Sequence, residues 1–308
     1  MRYGRSLLAC VFAWTGAASL LAADAARFRT DSTLVLIHVT VTDNRGRLIT
    51  TLGKENFQIT ENDRSQTVRY FSKEEAPVSV AIVVDLSNSM VEKIGTLRQA
   101  IVKFLDASNP EDEFCLIELR DRAELVMGFR SDRGEIDNRL REARAGGQTA
   151  LLDGMFLGLE QMKKAHHSRK ALLVISDGGD NHSRVTLSGV RQRALEADAE
   201  IYAIEIGPSA STWIPLQDGL LADLAEVTGG HDYAVDDPRE AAEAAGKIGT
   251  ELRSQYVLGY APADLQRDGK YHRVRVKVVA PAGQPKLSAD WRRWYYAPDD
   301  FAGDASLP

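Results

Sequence analysis

Hydrophobic residues recur along the chain with two different periods, and the changes of period divide it into three regions. In the first and last regions, apolar and polar residues alternate and β-branched residues are frequent. Alternation of this kind predicts short strands whose two faces differ in polarity. The predicted strands are 34–42, 57–60 and 68–71 near the N-terminus, and 256–260, 271–278 and 289–296 near the C-terminus.

The middle region has a different pattern. Three uninterrupted apolar runs, at 78–84, 170–176 and 199–206, alternate with segments whose apolar residues recur every three or four positions. Runs that are apolar on both faces are typical of buried parallel strands, and the longer period is typical of amphipathic helices. The predicted helices are 91–105, 136–145, 150–165, 187–197, 220–227 and 241–252, with a strand hairpin at 113–129.

This order of elements predicts an α/β fold, with a doubly wound, mostly parallel sheet that carries helices on both faces. Neither group of flanking strands is large enough to bury a core on its own. We therefore expect the N- and C-terminal segments to form one small β-sandwich-like domain, with the α/β domain inserted between them. Two separate β pieces packed on the α/β domain are the alternative that the sequence leaves open.

The expected domain boundaries follow the changes of pattern. An N-terminal β segment is expected at 28–76, the α/β domain at 77–254 and a C-terminal β segment at 255–298. Residues 299–308 are expected to form a disordered tail, since they follow the last predicted strand at the chain terminus.

The first 25 residues indicate export. Arg2 and Arg5 precede an uncharged apolar stretch, 7–23, which ends in small residues. This is the order of a secretory signal peptide, so we expect residues 1–25 to be cleaved and the protein to be periplasmic or secreted, with no stable membrane insertion afterwards. A retained anchor is the alternative, because about 17 apolar residues are the lower limit for a membrane span.

Composition narrows the choice of partner. The chain has 308 residues, of which 44% are hydrophobic and 27% charged, as in an ordinary globular protein. The net charge of −6, with no Lys/Arg cluster to oppose it, argues against a nucleic-acid partner. Cys115 is the only cysteine expected in the mature chain, which excludes an intramolecular disulfide.

Candidate chemistry lies directly after the apolar run 78–84. Asp85, Ser87 and Ser89 follow in the spacing Asp-x-Ser-x-Ser, which places a carboxylate and two hydroxyls at the carboxyl end of a buried strand. Ligands of open α/β sheets bind beyond this end of the strands. Oxygen ligands of mixed charge suit a hard divalent cation such as Mg²⁺.

Two further segments bring oxygen ligands to the same edge of the sheet. Thr149 lies in a loop before a predicted helix, and Asp177 directly follows the run 170–176. With these residues the sequence resembles the von Willebrand factor type A domain family and its metal-ion-dependent adhesion site. The flanking strands, including Tyr256-Val257-Leu258-Gly259-Tyr260, are similar to those of a bacterial group of exported proteins with such domains.

The resemblance implies a role for each residue of this set. Ser87, Ser89 and Thr149 would bind the cation through hydroxyl oxygens, and Asp85 and Asp177 would bind it directly or through water. Mg²⁺ is the expected ion, with Mn²⁺ or Ca²⁺ as alternatives. Because three of these ligands are neutral, the cation retains affinity for an outside anion, such as an Asp or Glu of a protein partner.

Three neighbouring residues, Asp153, Asp180 and Asn181, are expected to orient the ligands. The functional expectation is thus an exported, non-catalytic module that binds a protein through the cation. A metal-dependent hydrolase or phosphatase is one alternative, but it needs a second carboxylate at position 87, which is Ser. A purely structural metal is another. A third is that the two aspartates only cap helices, which leaves the three hydroxyl residues unexplained.

Overall fold

The computed structural model describes residues 34–73, 75–207, 219–262, 268–281, 283 and 285–297. The expected signal peptide and the expected C-terminal tail lie outside these residues. Within the described part of the chain, no helix is both long and apolar enough to span a membrane.

The strands and helices alternate in the order that the sequence pattern predicts. In chain order, the strands are β1 (Val35–Thr42), β2 (Phe57–Glu61), β3 (Arg64–Gln66), β4 (Tyr70–Ser72), β5 (Val78–Asp85), β6 (Glu113–Leu119), β7 (Ala123–Arg130), β8 (Arg169–Ser176), β9 (Ala199–Ile206), β10 (Asp232–Val235), β11 (Tyr256–Tyr260), β12 (Tyr271–Val278), β13 (Ser288–Trp291) and β14 (Trp294–Tyr296). The helices are α1 (Ile94–Ala107), α2 (Arg133–Glu142), α3 (Leu151–Gln161), α4 (Leu187–Ala197), α5 (Leu220–Thr228) and α6 (Pro238–Arg253).

The central sheet has six strands in the order β10-β9-β8-β5-β6-β7. Neighbouring strands are parallel except β6 and β7, which form the predicted hairpin. All eight residues of β5 are buried, because the strand lies inside the sheet and both of its faces are covered. Its uninterrupted apolar sequence reflects this position.

Helices cover both faces of the central sheet. α1, α2 and α6 pack on one face through side chains that include Phe104, Leu140 and Ile248. α3, α4 and α5 pack on the other through side chains that include Met155 and Val190. The sheet is therefore doubly wound, and the predicted fold class is confirmed.

Strands from both ends of the chain build two further sheets, in the orders β13-β1-β11-β4 and β14-β12-β2-β3. Their inward side chains share one core, which includes Ile37, Tyr256 and Val276. β1 pairs antiparallel with β11, with Ile37 opposite Leu258, so segments from before and after the α/β region are neighbours. The prediction that both ends contribute to one β-sandwich-like structure is confirmed.

A buried arginine connects the sandwich with the α/β region. Nη1 of Arg169 donates a hydrogen bond to the carbonyl of Ala76 at 3.0 Å, and Nη2 donates to the carbonyl of Leu252 and to Oε1 of Gln255. Ala76 precedes β5, and Leu252 lies in the last turn of α6. One guanidinium therefore contacts both segments that connect the sandwich with the α/β region. Burial lowers the pKa of Arg169, and the nearby carboxylate of Glu200 opposes this effect.

The structure corrects two predicted strand segments and also places α2 (Arg133–Glu142) three residues before the predicted helix 136–145. Asn62 and Asp63 adopt positive φ angles of 45° and 65° and form a tight turn, so the chain returns at once as β3, which the sequence pattern did not predict. The predicted strand 289–296 is divided into β13 and β14, which belong to different sheets. Arg292 and Arg293 separate them, and the chain passes from one layer of the sandwich to the other at this point.

Two glycines of α6 provide a matched test of helix packing. A Cβ atom on Gly249 would lie 2.8 Å from Cβ of Ala107 in α1, whereas one on Gly246 would meet no atom within 4 Å. We expect Gly249→Ala to lower the free energy of unfolding by about 1–3 kcal/mol through overpacking. Gly246→Ala should raise it by about 0.5–1 kcal/mol, because alanine is the better helix former. Urea denaturation measures both, and a stabilised Gly249→Ala would contradict the close packing of the two helices.

Candidate functional site

The candidate site lies where the central parallel strands end. β5 and β8 are neighbours, with Val84 opposite Ile175, so the residues that follow each strand emerge side by side. The loop before α3 approaches the same edge of the sheet. The five predicted metal ligands are carried by these three loops.

Asp85 is the most buried group of the site. Its side chain has no exposure to solvent, and each carboxylate oxygen accepts one hydrogen bond. Oδ2 accepts from the hydroxyl of Ser176 at 2.7 Å, and Oδ1 accepts from the backbone N–H of Ser87 at 2.8 Å. The hydroxyl oxygens of Ser87 and Ser89 lie 3.0 Å apart, and Ser89 is exposed. The structure thus brings three of the predicted ligands together.

The charge of Asp85 is not balanced by a neighbouring base. Among the residues that the structure describes, no basic side chain forms an ion pair with this carboxylate. Burial raises the pKa of Asp85, hydrogen bonds from Ser176 and Ser87 oppose the increase, and the negative charge of Asp177 adds to it. A buried carboxylate with a second one nearby favours a compensating cation. The residues present therefore fit a divalent cation bound at this edge.

Backbone hydrogen bonds hold the loop of Thr149 against the other two loops. The N–H of Asn88 donates to the carbonyl of Gly147 at 3.0 Å, which joins it to the loop after β5. The N–H groups of Asn181 and His182 both donate to the carbonyl of Thr149 at 3.1 Å, which joins it to the loop after β8. Thr149 itself is buried. The three loops therefore form one connected unit.

The residues expected to orient the ligands act on the backbone of these loops. Oδ1 of Asn181 accepts a hydrogen bond from the N–H of Thr149 at 3.0 Å, and Oδ1 of Asp180 accepts one from the N–H of Leu151 at 3.2 Å. Oδ1 of Asp153 accepts two, each at 2.9 Å, from backbone N–H groups of the loop after β8. All three side chains join the start of α3 to that loop. Their influence on a bound metal stays a prediction.

Lys93 is a charged residue of this site that the sequence analysis missed. It directly precedes α1, and its Nζ lies 3.5 Å from Oδ2 of Asp177, which is only partly exposed. A Cβ atom on Gly207, which follows β9, would lie 2.5 Å from the same Nζ, so the ammonium group packs against that glycine. The only signal in the sequence is a lysine shortly after the Asp-x-Ser-x-Ser spacing, and spacing alone does not place it beside Asp177.

The donor set consists of oxygen atoms. Within the described residues, no group of three or more His, Cys, Asp or Glu side chains is arranged to hold a metal, so the set depends on its hydroxyl groups. Carboxylate and hydroxyl oxygens suit Mg²⁺, Mn²⁺ or Ca²⁺, whereas zinc sites use nitrogen and sulfur ligands. The identity of the cation and the five ligand assignments stay predictions.

Comparisons with known proteins show which domain family this α/β domain, with its hydroxyl-rich site at the carboxyl edge of the sheet, resembles. Residues 80–179 match the family model of the von Willebrand factor type A domain. The structure titled "von Willebrand factor type A from Catenulispora acidiphila" aligns with a TM-score of 0.52 at 14% identity, covering 89% of this chain and 76% of that one. Residues 80–179 thus match the von Willebrand factor type A domain that the motifs predicted, and the solved structure shares the fold.

Curated relatives match part of the chain. Inter alpha-trypsin inhibitor, heavy chain 4, of Mus musculus is 25% identical over 160 residues, which cover 46% of this chain and 17% of that protein. An uncharacterized protein of Synechocystis sp. is 25% identical over 212 residues, which cover 66% of this chain and 48% of that protein. The match thus spans less than half the length of either relative.

The contact between Asn181 and Thr149 can be tested by a side-chain deletion. Asn181→Ala leaves the part-buried N–H of Thr149 without its acceptor, so we expect the free energy of unfolding to fall by about 1–3 kcal/mol. Asn138→Ala removes the same side chain from an exposed position of α2 and should change the free energy of unfolding by less than about 0.5 kcal/mol. Urea denaturation compares the two, and equal effects would show that the contact is not needed to hold the loop.

Proposed function

We propose that this chain is an exported, non-catalytic module that binds a protein partner through a divalent cation held by Asp85, Ser87, Ser89, Thr149 and Asp177. The observation that carries the proposal is the buried carboxylate of Asp85, which lies beside two hydroxyls and has no ion-pair partner among the described residues. An unpaired buried carboxylate is costly unless a cation or further donors satisfy it.

The donor set suggests how the cation would serve binding. Three hydroxyls and two carboxylates would bind the ion directly or through water, with Mg²⁺ the best fit and Mn²⁺ or Ca²⁺ as alternatives. A bound cation would supply the positive charge that attracts an Asp or Glu of the partner. Since Ser89 is exposed and Asp85 is fully buried, the outward side of the set is the one that a partner can approach.

The environments of Asp85 and Ser87, the two residues that could act as nucleophiles, favour binding over catalysis. Asp85 is fully buried, so its carboxylate is not exposed to a substrate in solution. The hydroxyl of Ser87 contacts that of Ser89, which cannot act as the general base that a serine nucleophile requires.

The cellular location is proposed from the sequence alone. The basic and apolar segments within residues 1–25 have the order of a signal peptide, which would take the protein to the periplasm or beyond the cell. A protein partner, rather than a nucleic acid, fits both that location and the acidic net charge of −6.

Titration of the purified protein with Mn²⁺ tests the metal site. Asp85→Ala should weaken binding of Mn²⁺ at least tenfold, because it removes the central carboxylate. Asp106→Ala, at an exposed position of α1, removes the same group and should leave the affinity within twofold of the unaltered protein. Isothermal titration calorimetry measures both. Unchanged affinity in Asp85→Ala would refute the proposed site.

Partner binding separates a functional metal from a structural one. We expect the unaltered protein to capture a specific partner from exported proteins in Mg²⁺ but not in EDTA, while its melting temperature changes little. Capture that persists in EDTA would overturn the proposal. A large fall in melting temperature without metal would support a structural role instead.

Lys93 should oppose cation binding, because its ammonium group lies 3.5 Å from a carboxylate oxygen of Asp177. We expect Lys93→Gln to strengthen binding of Mn²⁺ about three- to tenfold, since a like charge is removed from the site. Lys93→Arg should keep the affinity close to that of the unaltered protein, and Lys103→Gln, exposed on α1, is the control for net charge. Weaker binding in Lys93→Gln would show that the lysine supports the ion instead.

A further inference from the structure

The exposed face of β12 is strongly basic. Buried and exposed residues alternate along this strand, and the exposed ones include Arg273, Arg275 and Lys277, which we call the basic strip. Alternate side chains of a strand lie about 6.8 Å apart. The strip therefore places three positive charges in a row at regular intervals on one face of the sandwich.

The strands beside β12 do not neutralise the strip. On β2, Thr60 and Gln58 lie opposite its second and third residues. On β14, Trp294 lies opposite its first residue, and the guanidinium lies 5.9 Å from the centre of the indole ring. Since directly opposed residues share a face of the sheet, the nearest cross-strand neighbours are neutral or aromatic.

A groove of about 360 Å³ follows the strip, and Trp291 and Arg293 complete its lining. The guanidinium of Arg293 lies 5.0 Å from the ring centre of Trp291. Arg275 pairs with Asp63 and Arg293 with Glu226, but these two acidic side chains are 76% and 66% exposed. Exposed pairs of this kind are worth little free energy and are readily exchanged for another carboxylate.

Two residues of the strip have no acidic partner in the described part of the chain. Arg273 stacks on an indole ring, and Lys277 forms no ion pair there. This concentration of positive charge contrasts with the net charge of −6 for the whole chain. The sequence analysis overlooked it because the cations occupy every second position, and only the strand places them on one face.

We propose that the basic strip binds an extended acidic segment of a protein partner, with carboxylates at every second residue. In an extended segment, alternate side chains lie about 6.8 Å apart, which is also the spacing of the strip. Successive carboxylates of the segment can therefore contact successive cations. Arg273 and Arg275 can each bind a carboxylate through two parallel N–H groups. The groove beside the strip accommodates the side chains between the carboxylates.

The aromatic residues favour a protein segment over a single-stranded nucleic acid. Nucleic-acid grooves offer free aromatic faces on which bases stack. Here each indole ring is half-buried and already carries a guanidinium against one face. The rings thus support the cations instead of presenting an open stacking platform.

This second surface is independent of the cation site. The strip belongs to the β sandwich and shares no residue with the loops that follow β5 and β8. Binding of the acidic segment to the strip should therefore be the same in Mg²⁺ and in EDTA. Failure of one proposal would not contradict the other.

A fluorescein-labelled peptide of eight residues, alternating Glu and Thr, tests the strip by fluorescence anisotropy with the full chain. We expect saturable binding that weakens at least tenfold in the double variant Arg273→Gln/Lys277→Gln. Lys103→Gln, which removes an exposed positive charge from α1, should stay within twofold of the unaltered protein. The strip residues are exposed, so the variants should fold, and far-UV circular dichroism checks this.

A second peptide with four Glu followed by four Thr distinguishes register from net charge. It should bind several-fold more weakly than the alternating peptide. Equal affinity for the two peptides, or an unchanged affinity in the double variant, would overturn the proposal. Tighter binding of an oligothymidylate of eight nucleotides than of the alternating peptide would overturn the assignment to a protein segment.

Discussion

The arrangement of the candidate site depends on one constraint, the burial of the Asp85 carboxylate at the end of an interior strand. A carboxylate removed from water requires hydrogen bonds or a cation. Ser176 supplies one hydrogen bond because its strand is the parallel neighbour of β5, and the backbone of Ser87 supplies the other because the chain turns directly after Asp85. The loops that satisfy Asp85 are thus those that carry the hydroxyls of the proposed cation site.

The two ends of the central sheet serve different purposes. The carboxyl ends of β5 and β8 carry the candidate site, whereas Arg169, at the amino end of β8, contacts the sandwich side of the molecule. Because these groups lie at opposite edges, the described strands of the sandwich lie away from the loops of the site. The proposed cation site and the basic strip are therefore separate surfaces of one chain.

Much of this structure could be predicted from sequence, for reasons that differ between residues. Strands 199–206 and 271–278 were predicted with their observed bounds. The first is a continuous buried run and the second alternates between buried and exposed residues, so each pattern can be recognised within the strand itself. Asp85, Ser87 and Ser89 were found because they are close in sequence. Asp177 became a candidate because it directly follows the buried run 170–176, and Thr149 because it lies in a loop before a predicted helix; the family resemblance then implied their role as ligands.

Other features could not be found in this way. Lys93 and Asp177 are far apart in the sequence, and no periodic pattern links them. β3 has only three residues, Arg64–Gln66, which are too few for an alternating pattern to predict a strand. The neutral neighbours of the basic strip and the groove beside it depend on the strand pairing, which the sequence does not give.

The position of Arg169 also has a consequence for the modularity of the chain. One guanidinium contacts both Ala76 and Leu252, so the α/β region leaves the sandwich and rejoins it at neighbouring points. In terms of connectivity, the region is a long loop between the paired strands β4 and β11. The entropy of closing such a loop grows only slowly with its length. The sandwich can therefore tolerate exchange of this region for another domain of different size, provided that its two ends lie equally close together.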